Sequence, residues 1–82
     1  MFENVAVIQF FIGEIDIPVK LEDGQTAYFR QRVYTGINYV DALNSVRGAL
    51  RDQDLNNTGY IHRFTLNSEG KMCYETEERV EL

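Results

Sequence analysis

The sequence predicts an α+β fold in which a single helix packs on a small antiparallel sheet, in the order β-β-α-β-β. Two strand-like segments flank an Asp-Gly turn at 22–25, and a second strand-like pair flanks the turn at 67–70. An apolar stripe with helical spacing lies between the two pairs. The 82 residues are enough for one hydrophobic core and too few for two, so we expect one domain over 1–82.

The first strand-like segment, 5–12, is rich in β-branched and aromatic residues, and its first half is apolar on both alternating faces. Strict alternation of apolar and polar residues follows, from Glu14 to Leu21. Gly13 is either the start of a hairpin turn, which adds an N-terminal strand, or a bend in one long strand. The odd-numbered apolar set continues through Gly13 and favours the bend. Pro18 cannot donate to a ladder, which predicts a sheet edge there.

The return strand, 26–34, has two distinct faces. The face predicted to point to the core consists of Ala27, Phe29, Gln31 and Val33. The face predicted to point to solvent consists of Tyr28, Arg30, Arg32 and Tyr34.

The helix is predicted to begin at Asn38, a capping residue with Asp41 three positions later. Its apolar stripe consists of Tyr39, Leu43, Val46 and Leu50. Gly48 is costly inside a helix, so we expect it to allow close approach to the sheet. In the final hairpin, the acidic end from Glu75 onward is predicted to extend or fray in solvent.

The balance of charge is acidic, with 13 Asp and Glu against 8 Lys and Arg and a net charge of −5. This disfavours nonspecific binding to duplex DNA or to anionic membranes, and is typical of small soluble proteins. The single cysteine, Cys73, allows no internal disulfide, which favours a reducing, cytoplasmic location. The start of the sequence has no basic segment ahead of an apolar run, so we expect no signal peptide, and the apolar stretches are too short to cross a bilayer.

The residues available for catalysis or metal binding are few. A nucleophilic pair of Cys73 and His62 requires that the two side chains meet, but the predicted hairpin aligns His62 nearer to position 75. Structural zinc needs four nitrogen or sulfur ligands, and the chain has two such side chains. The loop at 52–59 begins with the oxygen-bearing spacing of a calcium loop. Position twelve of such a loop, counted from Asp52, is Arg63, where a carboxylate is required. We therefore expect no enzyme activity, no metal and no cofactor.

The face formed by Tyr28, Arg30, Arg32 and Tyr34 is the candidate binding site. Aromatic rings beside guanidinium groups stack bases and hold phosphates, which predicts binding of a nucleotide or single-stranded nucleic acid. The same residue types are enriched at protein–protein interfaces. The structural alternative is that the arginines pair with carboxylates on neighbouring strands, at Glu14, Asp16 or Glu75.

The first strand carries more apolar side chains than one helix can cover. We therefore predict a non-enzymatic protein-binding module that acts through a sheet face or edge, with another protein or a second copy in a homodimer as partner. A curled sheet that closes over its own strip is the alternative. Small size and the lack of motifs are also consistent with an inhibitor or accessory factor of a phage or mobile element.

Overall fold

The structure, a computed structural model, describes residues 8–53 and 58–82. It confirms the predicted class, since one helix packs on a four-stranded antiparallel sheet in the order β-β-α-β-β. The elements are β1 (Ile8–Lys20), β2 (Thr26–Gly36), α1 (Tyr39–Asp52), β3 (Gly59–Leu66) and β4 (Met72–Val80). The start of the first predicted strand, 5–7, lies outside the described residues.

The strands lie in the order β2-β1-β3-β4. β1 pairs with β2 from Phe11 to Lys20 and with β3 from Ile8 to Ile15. The two hairpins are therefore staggered along β1, and the molecule is elongated, with extents of 62 × 22 × 15 Å. Beyond Ile15 the described ladder of β1 continues with β2 alone, so Pro18 occupies the edge position that its missing N–H requires.

β1 runs through Gly13 without a turn, as a single strand of 13 residues. The bend predicted at this glycine takes the form of a register shift against β2 between Gly13 and Glu14. Gly13 pairs with Tyr34 and Glu14 pairs with Arg32, so Val33 of β2 is the extra residue of a bulge. Strict alternation would place Arg32 and Tyr34 on the same face of the sheet. Because of the extra residue, they lie on opposite faces.

The helix begins where the sequence predicts. The Asn38 side chain accepts a hydrogen bond of 3.0 Å from the backbone N–H of Asp41. The buried core consists of Phe11, Ile15, Ala42, Val46, Leu50, Ile61 and Val80. A helix of 14 residues is about 21 Å long, so α1 covers only the middle of one sheet face.

The predicted role of Gly48 is wrong. A Cβ built at Gly48 would meet nothing within 4 Å, so this helical position faces open space. The close approaches lie on the strands instead, because a Cβ at Gly13 or Gly59 would collide with the side chain of Val46. Small residues are needed where β1 and β3 pass beneath the helix, and not in the helix itself.

The acidic end does not fray. β4 continues to Val80, which is only 3% exposed and belongs to the core. Along the strand, Glu75 accepts a hydrogen bond from Thr65 at 2.8 Å, and Glu78 accepts from the hydroxyl of Tyr39. Partners on neighbouring elements and one buried anchor keep the segment extended.

The predicted core face of β2 is mostly uncovered. Of its four side chains only Val33 packs against the core, and Phe29 is 52% exposed. The far part of the β1–β2 hairpin extends past the end of the short helix, so alternation alone does not bury these residues.

Candidate functional site

The side of the sheet opposite α1 is the open face. Its side chains alternate along each strand with those that pack on the helix, such as Phe11, Ile15 and Ile61. One half, the polar end, consists of Glu14, Asp16, Arg30, Tyr60, His62 and Glu77. The other half, the apolar end, consists of Ile8, Phe10, Phe64, Leu66, Met72 and Tyr74.

Arg30 is the centre of the polar end. Its Nη1 lies 3.2 Å from Oε2 of Glu77 and 3.7 Å from Oε1 of Glu14, and its Nε lies 3.4 Å from Oδ1 of Asp16. The three carboxylates come from β1 and β4, so the Arg30 side chain reaches across the sheet from one edge strand toward the other. An ion-pair network of this kind holds the strands in one arrangement.

Tyr60 supports the guanidinium from below. Cζ of Arg30 lies 3.7 Å from the centre of the Tyr60 ring, a cation–π distance, and the Tyr60 hydroxyl donates to Oδ2 of Asp16 at 2.9 Å. Burial lowers the pKa of Arg30, but its hydrogen bonds to Glu77 and Tyr60 and the nearby negative charges outweigh this effect and raise the pKa above its ordinary value. Arg30 is a permanent cation of the network.

His62 joins the polar end to the apolar end. Its Nε2 lies 2.7 Å from Oε1 of Glu14, and its Nδ1 lies 3.0 Å from the hydroxyl of Tyr74. A neutral ring satisfies both contacts when Nε2–H donates to Glu14 and Nδ1 accepts from Tyr74. The ring of Tyr74 is thereby fixed at the margin of the apolar end.

The apolar end is a continuous strip across three strands. The rings of Phe10 and Phe64 are 6.0 Å apart, those of Phe64 and Tyr74 are 5.1 Å apart, and both pairs meet edge to face. Ile8, Met72 and Tyr74 remain about half exposed, at 48, 54 and 55%. The described part of the chain does not cover this strip, so it does not form the closed sheet that was the alternative.

The structure separates the four predicted binding residues. Tyr28, Arg30 and Arg32 lie on the open face, whereas the bulge at Val33 places Tyr34 on the helix side. There Tyr34 packs against the core, and its hydroxyl accepts from the backbone N–H of Asn38 at 3.2 Å. Pairing of an arginine with carboxylates, the structural alternative, holds for Arg30, with Glu77 in place of Glu75.

Sequence reasoning named His62 as a possible neighbour of the Tyr28–Arg30–Arg32–Tyr34 face but missed Tyr60 and Glu77 as parts of this site. His62 pairs with Glu77 because a second register shift, between Arg63 and Phe64, moves β4 by one residue. No motif signals such a bulge, although the alternation of β3 did place Tyr60 and His62 on one face.

The candidate chemistry elsewhere is dispersed. Cys73 pairs with Thr65, on the opposite face from His62, so the two do not form a nucleophilic pair. Within 8–53 and 58–82, no group of three or more His, Cys, Asp or Glu side chains is arranged to hold a metal ion. The calcium-like loop lies partly outside the described residues, at 54–57. No helix in the described ranges is long and apolar enough to span a bilayer.

Comparison of the chain with models of protein families, with curated proteins and with solved structures found no match.

Proposed function

We propose that the chain is a non-enzymatic protein-binding module that works through the apolar end of its open face. The observation that supports this most is the half-exposed strip of Ile8, Met72 and Tyr74 over packed phenylalanines. Contiguous apolar patches of this kind are uncommon on soluble monomers and usually mark interfaces. In the described residues the one helix, α1, packs on the other side of the sheet.

A second copy of the chain is the proposed occupant. Apolar strips are complementary to themselves, so two open faces can stack around a two-fold axis without new charge partners. Arg30 offsets part of the negative charge of Glu14, Asp16 and Glu77 at the polar end, which reduces repulsion between facing copies. Two sheets stacked in this way would lie about 10 Å apart, as in a β-sandwich.

The test is the mass of the protein in solution. Sedimentation velocity of the wild type should show a dimer, and Met72→Lys should shift it toward monomer because a charge at a buried interface must be desolvated. Val40→Lys is the matched control, since Val40 is an equally exposed aliphatic residue, at 59%, on the helix.

Two results would count against this proposal. One is a wild type that stays monomeric at the highest soluble concentration, and the other is dissociation by the Val40 variant to the same degree as by the Met72 variant. Far-ultraviolet circular dichroism of both variants separates loss of association from loss of folding.

Binding of a nucleotide or single-stranded nucleic acid stays an alternative prediction. Of its four residues, Arg32 and Tyr28 are on the open face and outside the ion-pair network, Arg30 is within it, and Tyr34 is on the other face. Titration of a labelled oligonucleotide at low salt tests it, because binding through these arginines must weaken as salt rises and must be lost in Arg30→Ala/Arg32→Ala.

A further inference from the structure

The outer edge of β2 is a second surface that stands apart from the apolar end. In the described residues β2 has β1 as its only strand neighbour, so one side of an 11-residue strand is unpaired. Five consecutive residues, 28–32, are exposed. The strand contains neither proline nor acidic residues. Such an edge accepts an added strand from a partner.

The hydrogen-bond pattern shows which backbone groups are free. The N–H of Leu21 donates to the carbonyl of Gln25, which makes this pair hydrogen-bonded and sets the alternation along the ladder. The N–H of Asp16 points away from β2, to the carbonyl of Thr58, and Pro18 has no N–H. Asp16 pairs with Arg30, and Pro18 pairs with Tyr28. Arg30 and Tyr28 therefore direct their backbone N–H and C=O groups away from β1, toward the unpaired edge. Arg32, two residues beyond Arg30, does the same.

The side chains at this edge define a chemical preference. Arg32 forms no ion pair in the described part of the chain, and it lies on the open face two residues from Arg30. Tyr28 and Phe29 are 63 and 52% exposed and lie on opposite faces. An added strand would thus place one set of alternating side chains beside Arg32 and Tyr28 and the other set beside Phe29.

Charge argues against pairing of this edge with its own copy. An antiparallel β2–β2 contact would bring the Arg32 side chains of both copies onto one face of the joined sheet, and like charges on facing strands destabilise a sheet. The opposite edge, β4, carries Glu75, Glu77 and Glu78 against Arg79 alone, and is thus acidic. These glutamates already bind partners within their own chain. A contact between β2 of one copy and β4 of the next is head-to-tail, so it would add copies into an open filament and would not form a closed dimer.

We propose that the outer edge of β2 binds an extended acidic segment of a partner protein by strand addition, with carboxylates on the open face beside Arg32 and apolar side chains beside Phe29. Main-chain hydrogen bonds from Tyr28, Arg30 and Arg32 supply affinity, and the side chains supply selectivity. This surface is separate from the apolar end, so failure of either proposal leaves the other standing.

The probe is a short synthetic peptide in which valine and glutamate alternate, with a valine–lysine peptide as its counterpart. Fluorescence anisotropy should show binding of the glutamate peptide and none of the lysine peptide. Arg32→Gln should weaken binding by about five-fold, the range of one exposed ion pair. Tyr28→Pro should abolish it, because proline removes an outward N–H and leaves the β1 ladder intact.

Arg79→Gln is the matched control for net charge, since Arg79 is an exposed arginine on the open face of the other edge strand. It should leave binding of the glutamate peptide unchanged. The proposal is overturned if both peptides bind alike, if neither binds, if Arg79→Gln weakens binding as much as Arg32→Gln, or if folded Tyr28→Pro binds as the wild type does. Formation of long assemblies by the wild type, dispersed by Arg32→Gln, would instead assign the edge to β4 of another copy.

Discussion

Arg30 and Glu77 lie on the two edge strands of the sheet, yet their side chains meet at 3.2 Å. Neighbouring strands are about 4.8 Å apart, so the two backbones are separated by roughly three such steps. The Arg30 side chain crosses this space over Tyr60 and beside Asp16. This contact closes the polar end of the open face and leaves the apolar end as the uncovered part.

Removal of Arg30 should destabilise the protein. Arg30→Gln leaves Glu14, Asp16 and Glu77 without their shared cation, and we expect a loss of about 1–2 kcal/mol in the free energy of unfolding. Urea denaturation measures this loss. Arg32→Gln, on the same strand and face but without an ion pair in the described residues, should change stability by less than about 0.5 kcal/mol. Equal effects of the two substitutions would show that the network contributes nothing.

Gly59 should tolerate no side chain while Val46 is present. Gly59→Ala places a methyl group against Val46 and should cost about 1–3 kcal/mol through overpacking. Val46→Ala alone should also destabilise, because it leaves a cavity in the core. The double variant should lose less than the sum of the two, since each change relieves the other. Strict additivity in thermal or urea unfolding would contradict the packing described.

Gly48→Ala should stabilise the helix. Nothing lies within 4 Å of the added methyl group, so the change gains the helix propensity of alanine, up to about 1 kcal/mol. Thermal unfolding followed by circular dichroism measures the gain. A loss of stability would mean that this position packs against something after all.

Stability should fall at alkaline pH through Tyr39. The hydrogen bonds from its hydroxyl to Glu78, partial burial and the Glu78 charge raise the pKa of Tyr39 above its ordinary value of about 10. The folded chain therefore keeps a proton that the unfolded chain loses first. This contribution is complete below pH 10 and disappears as pH rises through the raised pKa.

Spectrophotometric titration of tyrosine and urea denaturation across this pH range test the effect. Tyr39→Phe should flatten the alkaline part of the stability profile, and Glu78→Gln should lower the pKa of Tyr39 toward its ordinary value. If the dependence of stability on pH is the same in both variants as in the wild type, the contact between Tyr39 and Glu78 does not contribute to it.

The sequence was sufficient for the fold class because turns and periodicities are local. Gly24 and Gly70 have positive φ angles of 89 and 81°, as their predicted turns require, and Asn38 caps the helix. The partners of Arg30 could not be fully predicted, because each of two bulges shifts a strand by one residue. The shift in β2 moves Tyr34 to the helix side. The shift in β4 brings Glu77 opposite His62, where the register at Leu66 and Met72 alone would place Thr76. A bulge depends on tertiary packing and leaves little mark on alternation.

The most direct test of the central proposal is an isotope-filtered nuclear Overhauser measurement on a mixture of labelled and unlabelled chains. The proposed interface predicts contacts between copies that join the methyl group of Met72 to the rings of Phe64 or Tyr74. Contacts between copies confined to α1 or to the outer strand edges, or no contacts between copies at all, would contradict a dimer formed through the apolar end.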